Sequence, residues 1–391
     1  MINLLLVVIY IAFISLGLPD GLLGAAWPVL YTEIDVPFSY AGIISMIISA
    51  GTIISSLQSD RLTRKLGAGK VTAISVAITA AALFGFSNSH SFFELCMWSI
   101  PYGLGAGSVD AALNNYVALH YASRHMSWLH CMWGLGASIG PYIMGYVITS
   151  GYGWNVGYGS IGVFQIILTI ILVLSLPLWK NRSTESDNYE INGKALTLSQ
   201  IIKISGVKEI MITFFCYCAL EQTTGLWASS YLNLHQGISS EKAAGYAGIF
   251  YLGITIGRAI SGFITIKLDD TKMIRLGQGI IILGIVILLF PFNKYFSLAG
   301  IVMIGLGCAP IYPCIIHSTP EHFGEDKSQA IIGIQMACAY LGTLSMPSVF
   351  GFFAEYISIS LYPFYLLGLL ILMLIMHERL LCKLKKLKNK V

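Results

Sequence analysis

Two aspartates carry the first chemical signal in this chain. Asp20 lies in residues 9–27, an apolar run interrupted only by Gly, Ser, Pro and this one acid. Asp110 lies in residues 104–119, within the string GAGSVDAALNNY. An ionised carboxylate at the centre of a bilayer costs about 2.5–3.5 kcal/mol even on the lenient insertion scale. A chain keeps such a group where it faces a watery cavity, a partner or a proton. Burial disfavours the charged form of a carboxyl, so both positions suit the uptake and release of a proton. Asn114 follows Asp110 by four residues and shares its helical face, where its amide can donate to the acid or to a ligand hydroxyl. No Lys or Arg falls in the central part of any apolar run, so a proton is the simplest neutraliser of Asp110.

Other polar residues fall at helical spacing near these two. Asp20 follows Pro19, which removes one backbone bond and kinks a helix. Residues 17, 20, 21 and 24 share one face, and three of them are glycine, so the sequence predicts a close-packed interior setting for Asp20. His130 is a candidate relay partner for Asp110, and Trp133 shares its face. In the second half of the chain Glu221, Thr224 and Gly225 share one face, while Trp227 and Tyr231 share another. His317 follows Pro313 by one turn. Arg258 and Glu355 fall near predicted helix ends, where snorkelling satisfies them.

The elements that must hold these groups are membrane helices. Of 391 residues, 56% are hydrophobic and only 11% charged, and the mean hydropathy is +0.74. Soluble domains carry about 25% charged residues. Spans of about 20 residues give twelve segments: 4–31, 38–59, 68–88, 92–121, 127–150, 155–179, 209–234, 240–266, 273–292, 295–318, 327–355 and 358–381. The first apolar run lacks a basic leader region and a cleavage site, and reads as a retained span. With both ends of the chain on the inner side, Lys242 and Lys294 are the only basic residues outside, which leaves 21 of the 23 Lys and Arg inside or at inner helix ends. The eight cysteines scatter through the apolar runs, and Cys216 and Cys218 form C-x-C with no histidine at ligand spacing. No metal, cofactor or nucleic-acid motif is found, and no constellation suits an enzyme.

The chain repeats itself. Tyr40-Ala41-Gly42-Ile43 recurs 206 residues later as Tyr246-Ala247-Gly248-Ile249, and Gly136, Pro141 and Gly145 match Gly342, Pro347 and Gly351 at the same offset. Such a period means two six-helix halves in parallel orientation. The expected organisation is a six-helix bundle over residues 1–180, a cytoplasmic linker at 181–207, a second bundle at 208–382 and a basic tail at 383–391. Gly103-Leu104-Gly105 matches Gly305-Leu306-Gly307 at an offset of 202, which places Tyr312 opposite Asp110, so the acids do not alternate symmetrically.

Two six-helix halves of this size resemble the major facilitator superfamily. Residues 56–65, SLQSDRLTRK, are similar to its G-x-x-x-D-R-x-G-R-K signature, with Ser56 and Thr63 in place of the two glycines. The resemblance implies a gating loop in which Asp60, Arg61 and Arg64 act, with Arg258 in the second copy. A narrower resemblance is to fucose permease-like sugar:proton symporters. It rests on GLGAGSVDAALNNY at 103–116, on GLPDG at 17–21 and on SWLHCMWGLGASIGP at 127–141, where His130 and Trp133 replace amides of that group.

The resemblance implies an all-α membrane protein of twelve helices in two pseudo-symmetric bundles. It implies proton-coupled symport of a sugar or sugar-like polar solute by alternating access, without a cofactor. Asp110 and Asp20 are then the proton-coupling residues. Asn114, His130, Trp133, Glu221, Trp227, Tyr231 and His317 are the substrate candidates, Trp133 as a platform for a sugar ring. The expected partners are the solute, the proton and the lipid bilayer, with a monomer in the inner membrane and both termini cytoplasmic. Two rivals remain open: a proton-coupled drug or metabolite exporter on the same fold, and a membrane sensor that transports nothing.

Overall fold

The first apolar run folds as two helices, α1 (Leu4–Gly17) and α2 (Leu22–Glu33), separated by a turn at residues 18–21. Pro19 has no N–H for the Ser15 carbonyl. The chain then tightens, with the Asp20 N–H donating to the Gly17 carbonyl and the Leu22 N–H to that of Pro19, both at 3.1 Å. The expected kink is therefore a full break, and Asp20 sits inside it. The computed structural model describes residues 4–37, 40–180, 196–238, 240–290 and 293–388.

The remaining helices of the first half are α3 (Ala41–Leu66), α4 (Ala68–Ser87), α5 (Phe92–His120), α6 (Ser123–Thr149) and α7 (Trp154–Lys180). After a short helix α8 (Leu198–Lys203) come α9 (Val207–Leu234), α10 (Ser240–Ile264), α11 (Asp270–Leu289) and α12 (Lys294–His317). A short α13 (Thr319–Phe323) precedes α14 (Glu325–Tyr356) and α15 (Tyr362–Lys388). Counting α1 and α2 as one span, this gives the twelve long segments expected from the sequence. Among the described residues, nine helices are long and apolar enough to cross a membrane. Helices α5, α9 and α10 fall outside that set: α5 carries Asp110, Asn114 and Asn115, α9 carries Glu221 and Gln222, and α10 contributes the shorter apolar stretch Ile249–Ile264.

Three boundaries differ from expectation. Helix α3 runs seven residues past position 59, because Ser56 and Thr63 sustain a helix where the superfamily signature has glycine. It stops at Gly67, whose φ of +79° suits only a residue without a side chain. The linker at 181–207 contains α8, which begins with a capping box between Thr197 and Gln200; its residues 181–195 lie outside the described residues. The basic tail begins as a continuation of α15 to Lys388, with Lys383 Nζ donating to Glu209 Oε1 at 2.7 Å; residues 389–391 lie outside the described residues.

The chain forms two compact units. Unit 1 comprises Met1–Val117, Leu129–Leu196 and Glu325–Ala337, and unit 2 comprises Ala118–Trp128, Thr197–Gly324 and Cys338–Val391. Both depend on glycine to bring helices together, since lipid offers no hydrophobic drive for helix association. In unit 1, a Cβ at Gly105 of α5 would lie 2.8 Å from the Ser75 carbonyl of α4. In unit 2, Cβ atoms at Gly277 of α11 and Gly307 of α12 would lie 2.5 and 2.6 Å from each other's carbonyls.

Candidate functional site

In unit 1 the central residues of α5 and α6 form a buried hydrogen-bonded row. Asn114 Nδ2 donates to Asp110 Oδ1 at 2.8 Å and to the Asp110 carbonyl at 3.0 Å. His130 Nε2 lies 3.0 Å from Asn114 Oδ1. An amide oxygen only accepts, so this orientation of Asn114 requires a hydrogen on Nε2 of His130. Asp110, Asn114 and His130 are 6%, 0% and 4% exposed. Phe13 of α1 meets the His130 ring edge-on, with centroids 5.4 Å apart. Asn114 therefore stands between the acid and the imidazole, and joins Asp110 to His130, the relay pair expected from sequence, through an amide. An amide holds its two neighbours but does not pass a proton on as a hydroxyl or water does.

Asp20 reaches a different residue of α6. Trp133 Nε1 donates to Asp20 Oδ2 at 2.8 Å. The glycine face predicted for Asp20 exists in part: Gly17 packs on the backbone of Trp133 and Ala137, and Gly21 on the Pro141 ring, while Gly24 has open space. Asp20 itself is exposed, not enclosed as its glycine neighbours suggested. Trp133 is half-buried, and its indole is oriented by the acid.

Unit 2 holds a second buried acid with different company. The Tyr217 hydroxyl donates to Glu221 Oε2 one turn away on α9, and Arg258 Nη2 of α10 lies 3.7 Å from the same oxygen. Glu221 and Arg258 are 8% and 2% exposed. Tyr312 of α12 packs on Phe214 and Tyr217, with centroids 4.7 and 6.0 Å apart. Two expectations for Arg258 are corrected here. It is not a snorkelling residue at a helix end, nor part of a gating loop: it is buried within α10 and turns its guanidinium inward onto an acid. Tyr217 and Arg258 went unnoticed as partners of Glu221. The i,i+4 spacing of Tyr217 signals the first, but no local spacing signals the second.

The remaining candidates are placed as follows. Trp227 Nε1 donates to the Pro347 carbonyl at 2.9 Å, and its ring lies beside Gly351 and Phe350. Tyr231 is 2% exposed, donates to the Leu288 carbonyl and stacks on His235. Tyr231 is thus a core residue, and its expected face shared with Trp227 is taken up by packing. His317 is the last residue of α12. Its Nδ1 is 2.6 Å from Asp270 Oδ2 and its Nε2 is 3.0 Å from the Tyr121 carbonyl. Ser123 donates to the other oxygen of Asp270. His317 therefore organises a helix-end cluster with Asp270, a residue that sequence reading passed over as an ordinary first-turn acid.

Asp60, Arg61 and Arg64 lie on the last two turns of α3, not in a loop. Arg64 Nε donates to Asp60 Oδ1 at 2.9 Å, and its Nη2 to the Asp326 carbonyl at 3.0 Å. That carbonyl belongs to the α14 segment that packs within unit 1. Arg61 is exposed and contacts Gln58 at 3.4 Å.

Comparison with known proteins agrees with this architecture. The family model of the Major Facilitator Superfamily matches residues 9–293 and 210–387. The chain is 24% identical over 298 residues to Bypass of stop codon protein 6 of Saccharomyces cerevisiae, covering 70% of this chain and 59% of that relative. It is 22% identical over 315 residues to the glucose/mannose transporter GlcP of Bacillus subtilis, covering 78% and 77%. Among solved structures, a single-site variant of the E. coli fucose:proton symporter FucP superposes with a TM-score of 0.75 at 16% identity, over 95% of this chain and 97% of that one. At that identity the likeness is one of fold. The family match extends over nearly the whole chain, and with it the twelve helices of the fold and the buried acids within them find a common explanation: the chain is a multi-pass membrane transporter that belongs to the Major Facilitator Superfamily.

Proposed function

We propose that this transporter carries a sugar or sugar-like polar solute together with a proton, by alternating access. The observation that carries the reading is the buried row Asp110–Asn114–His130. A carboxyl held by an amide in a low-dielectric setting can be charged or neutral, and the two forms differ in the cost of keeping it from water. Protonation of Asp110 lowers that cost, so the loaded protein rearranges more readily than the proton-free one; this difference couples the two fluxes. Asp20, exposed and bonded to the Trp133 indole, is the second proton-coupling residue and stands where a solute can touch it. Asn114, His130 and Trp133 are the substrate-binding groups of unit 1.

The relatives support the class of solute. One is named a glucose/mannose transporter and a structural neighbour a fucose:proton symporter. In unit 2 the Glu221–Arg258 pair is charge-balanced in itself, and so serves to orient and bond solute hydroxyls through Glu221 in place of exchanging protons. The reading places a monomer in the cytoplasmic membrane, with both termini on the cytoplasmic side. The test is Asp110→Asn in proteoliposomes, with a panel of radiolabelled sugars. The variant should lose accumulation driven by a proton gradient while keeping counterflow exchange. Accumulation against a gradient in Asp110→Asn overturns the coupling role, and a wild-type protein that moves none of the sugars but moves lipophilic cations favours an exporter.

A further inference from the structure

The backbone bond that Pro19 removes is replaced from another helix. Proline leaves the carbonyl four residues earlier, that of Ser15, without its helical donor. In the bilayer interior no water is at hand, and such a carbonyl needs an internal partner. Gln165 of α7 provides it: its Nε2 donates to the Ser15 carbonyl at 2.7 Å. Gln165 is 2% exposed, although its chain neighbours Phe164 and Ile166 are exposed at 53% and 43%. An amide in the middle of a largely apolar helix is thus aimed at the carbonyl whose helical donor Pro19 removes. The Gln165 Oε1 and Ser15 Oγ atoms are buried without a partner among the described residues. Both residues line a cavity with room for about one water molecule, which Pro19, Thr79, Tyr102 and Val109 complete.

We infer that Gln165 is the positioning residue for Asp20. By closing the gap at Ser15 it fixes the angle at which α1 gives way to α2. Asp20 lies in the turn between them, so the same bond sets the direction from which its carboxylate meets Trp133. The functional consequence rests on the proposed role of Asp20 in proton coupling; the structural claim does not.

A double-mutant cycle tests it by hydrogen–deuterium exchange on the full chain in detergent. Gln165→Met keeps the side-chain length and removes the donor. It should speed exchange of the amides at residues 16–24 by about tenfold, the scale of one lost hydrogen bond. In a Pro19→Ala background, position 19 regains its own N–H, and Gln165→Met should then change those rates less than about twofold. If Gln165→Met alone fails to fold, adding Pro19→Ala should rescue it. Equal acceleration in both backgrounds, no acceleration in either, or failure of the rescue overturns the inference. In transport, Gln165→Met should shift the pH profile of uptake, and the double variant should restore it. An unchanged profile overturns the positioning of Asp20, whereas the symport reading itself stands or falls on Asp110→Asn.

Discussion

At the scale of single residues, the two buried acids differ in what surrounds them. Asp110 is held by a neutral amide, and Glu221 by a phenol and a guanidinium. Asn114→Leu is expected to release Asp110 and His130 together. It should lower stability by about 1–3 kcal/mol, the cost of leaving a buried polar group without its partner, and reduce uptake; thermal unfolding and transport assays on one preparation check both. For the second acid, Arg258→Met strands Glu221 and should cost about 3–5 kcal/mol. Adding Glu221→Gln should recover a large part of that loss. A cycle without coupling would mean that the two groups, 3.7 Å apart, do not stabilise each other. The acids were legible in the sequence because a charge in an apolar run is conspicuous, and Asn114 because four residues separate it from Asp110. Arg258 and Gln165 were not. Each is recognisable only with its partner, and those partners lie 37 and 150 residues away in the chain.

At the scale of helices, glycine decides where the carriers of the site can sit. Helix α5 brings Asp110 to its place because Gly105 lets it touch α4. Gly105→Ala would set a methyl 2.7 Å from the Thr79 methyl and 2.8 Å from the Ser75 carbonyl. It should destabilise by about 1–3 kcal/mol, as overpacking of a tight contact does. Gly24→Ala meets nothing within 4 Å and should be nearly neutral. Thermal unfolding of the two variants side by side distinguishes a packing requirement from a general effect of removing glycine. Helix count and order were readable from apolar length. Helix ends were read less well at α3, where a signature known as a loop in the superfamily proved helical. The chain there holds Ser56 and Thr63, and either residue can stay in a helix whose nearest breaker is Gly67.

At the scale of the whole molecule, the two units do not divide at the polar linker. The segment Ala118–Trp128 packs in unit 2 and Glu325–Ala337 in unit 1, although the helices beside them belong to the opposite unit. Internal repeats mark the halves but give no hint of this exchange, since each borrowed segment is held by contacts between residues far apart in the chain, such as Asp270 with Ser123 and Arg64 with the Asp326 carbonyl. Asp270→Asn weakens the acceptor of both Ser123 and His317. It should therefore speed amide exchange in residues 118–128 while leaving the rest of α5, residues 92–117, unchanged; equal exchange in both proteins would show that the helix-end cluster does not hold the segment. The proposed orientation follows from the distribution of charge. Twelve spans with both termini inside put Lys242 and Lys294 alone on the outer face, and any other count scatters the 23 basic residues across both sides. A phosphatase reporter that folds only outside the cytoplasm should be active when fused after Phe290 and silent when fused after Gly67 or Val391. Activity after Val391 would place the C-terminus outside and remove one span, and with it the twofold pairing of helices on which the opposition of Asp110 and Tyr312 depends.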